Sequence, residues 1–108
     1  MQSTLGLSRQ VGDTNAHPES FPRVVHCFSV LAAAEPGAMP RVLEYFAKRG
    51  LVPSRWVSYV TEPQGQTAEL SIDIQIAGLE EQVAERIAVS LRGLHDVRLV
   101  LTSQKAAL

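Results

Sequence analysis

The chain has 108 residues, with ten Lys plus Arg against eleven Asp plus Glu and a formal net charge of −1. That length accommodates one compact domain, and the charge balance excludes a general attraction to nucleic acid or to an acidic membrane surface. Cys27 is the single cysteine, so no internal disulfide forms, and no run is long and apolar enough to span a bilayer. The expectation is a cytoplasmic protein.

Residues 1 to 22 mix Ser, Thr, Gln, Asn, Gly and Pro without a hydrophobic period. They predict a mobile polar tail and lack the apolar core of a signal peptide. RVVHCFSVLAA, rich in β-branched and apolar residues, predicts a first strand from Arg23. Val24, Phe28 and Val30 share one face and Val25, Cys27 and Leu31 the other, as expected of a central strand. EPGAMPRVLEYFAKRG follows, with Met39, Val42, Leu43 and Phe46 spaced to form one helical face. Pro40 is tolerated in a first turn, and Gly50 suits the left-handed position after the helix end.

LVPSRWVSYVTE predicts a second strand, placed at a sheet edge by Pro53. Trp56 shares parity with Val60 and is expected in the core. Arg55, Val57 and Tyr59 then project from the other face, where a partner or the tail would cover them. PQGQ supplies a turn. In TAELSIDIQIAG, Ala68, Leu70, Ile72, Ile74 and Ile76 face a core while Glu69, Ser71, Asp73 and Gln75 face water. LEEQVAERIAVSLRGL predicts a second helix burying Leu79, Val83, Ile87 and Leu91 and stopping at Gly93. HDVRLVLTS predicts a last strand burying Val97, Leu99 and Leu101. The domain is expected over residues 23–103, with 104–108 a short C-terminal tail. The order β-α-β-β-α-β predicts an α+β, ferredoxin-like arrangement: a four-stranded antiparallel sheet with both helices on one face.

The residues speak against catalysis. His26 and Cys27 are strand neighbours, so their side chains point to opposite faces and form no dyad. His26 is open to two readings, a satisfied sheet histidine or a residue lining a partner interface. His95-Asp96 reads as a solvated turn pair, and no His or Cys cluster has metal-ligand spacing. The open face of the third strand is acidic and lacks aromatics, which suits neither base stacking nor a phosphate chain. Arg41, Lys48, Arg49 and Arg55 read as a solvated face rather than a nucleic-acid patch.

The segment from Phe28 to Val60 resembles the ACT domain, a small ligand-binding and regulatory module of amino-acid metabolism. The likeness lies in Glu35-Pro36-Gly37-Ala38-Met39 after the first strand and Lys48-Arg49-Gly50 at the helix end, and it extends over the remaining elements. Within that family the chain is similar to the small regulatory subunit of acetolactate (acetohydroxyacid) synthase, of the short, single-domain type. Ser29-Val30-Leu31, Gly37-Ala38, Phe46-Ala47-Lys48-Arg49-Gly50 and Leu94-His95-Asp96-Val97 carry that similarity.

The resemblance implies a non-catalytic protein of branched-chain amino acid biosynthesis that needs no cofactor and holds no metal. It implies a homodimer with sheets joined side by side, and contact with a thiamine-diphosphate-dependent catalytic subunit. It further implies an amino-acid effector held by the backbone of Glu35, Gly37, Ala38 and Met39, where a helix start offers free N–H groups and a positive dipole. Ala34 and Val52 stand where valine-responsive relatives tend to carry polar residues, so valine binding is expected to be weak or absent. The alternative is a free-standing homodimer that senses another amino acid or a small metabolite.

Overall fold

The computed structural model describes residues 23–107; the expected N-terminal tail lies outside the described residues. The elements are β1 (Arg23–Ala33), α1 (Ala38–Lys48), β2 (Arg55–Thr61), β3 (Glu69–Ala77), α2 (Glu81–Arg92) and β4 (Val97–Ala107). The strands form one antiparallel sheet in the order β2-β3-β1-β4. This is the expected ferredoxin-like arrangement, with β1 central and β2 at an edge. β4 continues past Ser103 through Ala107, pairing with the beginning of β1.

Alternation fixes which side of the sheet is dry. His26, Phe28, Val30 and Ala32 of β1 lie opposite Ile76, Ile74, Ile72 and Leu70 of β3, and all eight are buried. Both helices cover this face, through Ala38, Val42 and Phe46 of α1 and Ala84, Ile87, Ala88 and Leu91 of α2. Phe28 and Phe46 meet edge to face with ring centroids 6.0 Å apart. Burying each such large side chain stabilises the fold by about 1.5–3 kcal/mol.

The end of α1 follows from Gly50. Its φ of 69° is left-handed, and it lets the Gly50 N–H donate to the Ala47 carbonyl while the Leu51 N–H donates to the Phe46 carbonyl. This paired closure satisfies carbonyls that the helix itself leaves open, and Leu51 packs against the core beside it.

Three expectations about burial need correction. On α1 the covered stripe is Ala38, Val42 and Phe46, and Met39 and Leu43 are exposed. The small Ala38 brings the helix start close to the sheet, which turns Met39 and Leu43 outward. On β2, Trp56 packs against the core as expected, but Val60 is 57% exposed because nothing pairs beyond this edge among the described residues. On β4, Val97 and Val100 face the core, whereas Leu99 and Leu101 are about half exposed. A bulge explains the last case. Leu31 pairs with Leu99 but Ala32 pairs with Val97, so Arg98 is an extra residue and parity reverses after it.

Candidate functional site

The junction between β1 and α1 is held from the far end of the fold. The Asp96 carbonyl accepts a 2.8 Å hydrogen bond from the Ala33 N–H, and the Asp96 carboxylate pairs with the Arg41 guanidinium. Arg41 projects from the first turn of α1 and lies over Gly37, where an added Cβ would sit 3.2 Å from Nη2. Gly37 has φ −85°, a value open to any residue. The glycine is therefore explained by the close approach of Arg41, which is the end of a flexible side chain, and not by a special dihedral.

Of the four residues expected to hold an effector, two have their N–H groups engaged. Glu35 donates to the Ala33 carbonyl at 2.8 Å and Ala38 to the Glu35 carbonyl at 3.0 Å. The Gly37 and Met39 N–H groups have no backbone acceptor among the described residues. A carboxylate placed there would meet a guanidinium already neutralised by Asp96. An ammonium group would find no side-chain acceptor at Ala34, which is half-buried against the core, or at Val52, which is 84% exposed. The corner offers two donors and an occupied cation.

The other basic residues of α1 are engaged locally. Lys48 lies 3.6 Å from Glu44, and the Arg49 guanidinium stacks over the Tyr45 ring at 3.7 Å. The sheet face away from the helices carries a polar centre, where Ser29 donates to Asp73 at 2.9 Å and Arg98 to Glu69 at 3.1 Å. Apolar residues flank it, Val57 and Tyr59 on β2 and Leu99 and Leu101 on β4. Arg55 belongs to the same face.

His26 does not share that surface. It stands on the helix-covered face, between Ile76 and Gln104, because its parity is that of Phe28 and Val30. The ring is 5% exposed, and neither Nδ1 nor Nε2 has a hydrogen-bond partner among the described residues. A buried polar group left unsatisfied costs about 1–3 kcal/mol. The ring lines a half-open cavity of about 300 Å³, between the first turns of α2 and Thr102–Gln104 in the second half of β4. Sequence reasoning missed this cavity and the Arg41–Asp96 pair. The shared parity of His26 with core residues was a readable signal for its burial, whereas no local pattern links Arg41 to Asp96.

The fold has known counterparts. The ACT domain of GTP pyrophosphokinase from Chlorobium tepidum superposes with a TM-score of 0.60 at 11% identity, over 75% of this chain and 99% of that one. The C-terminal domain of the MgtC protein from Mycobacterium tuberculosis gives 0.52 at 15% identity, over 77% and 88%. A homoserine dehydrogenase from Thiobacillus denitrificans gives 0.55 at 16% identity, over 92% of this chain and 21% of the enzyme. At these identities the likeness is one of fold. Comparison with curated protein sequences finds no match. The model of the ACT-like domain family matches residues 19–107, which takes in every described residue, and the chain belongs to that family.

Proposed function

We propose that this ACT domain is a regulatory or activating small subunit of the acetolactate synthase type. In this reading it is non-catalytic, works in branched-chain amino acid biosynthesis through protein–protein contacts, and responds weakly or not at all to valine. The observation that carries the reading is the Arg41–Asp96 pair over Gly37. Two sequence phrases that resemble those of such small subunits, Gly37-Ala38 and Leu94-His95-Asp96-Val97, meet there, and the pair occupies the charge that an effector carboxylate would use. Mixing with an acetolactate synthase catalytic subunit tests the reading directly. A stable complex with altered turnover supports it, and the absence of any complex contradicts it.

Pairing of two copies is supported by the free edge of β2. Among the described residues its outer backbone groups are open to a second strand, and exposed Leu43 and Val60 lie on the helix side of the sheet near that edge, as does Met39, which the Ser58 hydroxyl touches at 3.7 Å. A two-fold axis would join two such edges into one continuous sheet with the same patch buried twice. Sedimentation should give the mass of a dimer, and the double variant Leu43→Glu, Val60→Lys should give that of one chain. A wild-type chain that sediments as a monomer at micromolar concentration would contradict the pairing.

A further inference from the structure

We infer that the cavity beneath His26 is a binding site for a small protonated amine that also carries a hydroxyl group. It is separate from the β1–α1 junction. His26 stands near the start of β1 and the junction follows its end, so roughly 25 Å of extended strand lies between them.

The chemistry of the walls selects the ligand. Glu81 and Glu85, one helical turn apart on α2, supply two carboxylates, and Thr102 and Gln104 supply a hydroxyl and an amide from β4. No Lys or Arg lines the cavity among the described residues. Like charges four residues apart on a helix repel, and a cation between them removes that repulsion. A free anion is disfavoured at this helix start, because Glu80 and Glu81 already place negative charge there. A bare metal ion is also poorly served, since no three His, Cys, Asp or Glu among the described residues are grouped to hold one.

His26 points to the second half of the ligand. A neutral imidazole offers one N–H donor and one acceptor, and both nitrogens of His26 are buried without a partner among the described residues. A hydroxyl both donates and accepts, so it can meet either nitrogen. The ammonium group then sits toward the exposed Glu81 and Glu85, with the hydroxyl directed to the buried ring. The cavity volume of about 300 Å³ is at the small end of ligand sites and suits a short amino alcohol.

Titration of the full-length protein, with its histidine side chains labelled with ¹⁵N, tests the site. The probe is the four-carbon amino alcohol aminobutanol, and the control is hydroxybutyrate, which has a carboxylate in place of the ammonium group. Aminobutanol should shift the His26 ring resonances saturably, with Kd of about 1 mM or tighter, while hydroxybutyrate leaves them in place. The exposed pair Glu81→Gln, Glu85→Gln should keep the fold and weaken the response about tenfold. His26→Leu, of similar volume, should stay folded and abolish calorimetric binding. Unmoved His26 resonances, an equal response to hydroxybutyrate, or undiminished binding by the double glutamine variant would each overturn the assignment.

Discussion

Phe46→Ala is expected to cost about 3–5 kcal/mol, enough to unfold most molecules of a domain whose total stability is about 5–15 kcal/mol. Phe46 is fully buried on α1 and contacts Phe28 of β1 edge to face. Its carbonyl also accepts the Leu51 N–H that closes the helix. Truncation leaves a cavity where the helix is pinned to the sheet, and the facing strand β1, already paired on both sides, has little freedom to collapse into it. Urea titration should show a lower midpoint with an unchanged slope. A loss below about 1 kcal/mol would mean that α1 is not anchored as described.

The second large effect separates neighbouring residues on β4. Val100→Asp should destabilise by about 3–5 kcal/mol, because it puts an unpaired carboxylate against Val30 in the covered face. Leu101→Asp, on the open face and 58% exposed, should stay within about 1 kcal/mol of the parent. Simple alternation along the strand expects the reverse order. Thermal unfolding of the two variants decides between them, and a more damaging Leu101→Asp would remove the bulge at Arg98 from the account.

That contrast shows what was legible in the sequence. The buried face of β3, Leu70, Ile72, Ile74 and Ile76, is legible residue by residue, because its strict alternation continues without interruption and both neighbours pair with it in register. Ala68, by contrast, precedes the strand, and Glu69, Ser71, Asp73 and Gln75 are half-buried rather than open to water. The end of α1 was equally legible, since Gly50 is required by its left-handed dihedral. The parity of Leu99 and Leu101 was not legible. A bulge depends on how two strands meet, and nothing within VRLVLTS marks Arg98 as the extra residue. Met39 and Leu43 were misassigned for a related reason. Helical spacing permitted several stripes, and the packing of small Ala38 against the sheet selected the one through Val42 and Phe46.

The junction was half legible. Glu35-Pro36-Gly37 marked the passage from strand to helix, and the domain family followed from it. Its electrostatics depended on Asp96, which stands 55 residues from Arg41 and reaches it only through the pairing of β1 with β4. The guanidinium beside this helix start, which looked ready for a carboxylate, is thus already paired with a side chain of the same chain, while the Gly37 and Met39 N–H groups stay without a backbone acceptor among the described residues. The same Asp96 also accepts from Ala33, so the loop's shape and its charge balance are set by one residue.

The most direct test of the proposed function is an assay of an acetolactate synthase catalytic subunit with and without this protein. A regulatory subunit of this kind should give a co-eluting complex and a changed turnover, with no further change on adding valine. A catalytic subunit that elutes alone, with its turnover unaltered across a saturating range of this chain, would contradict it.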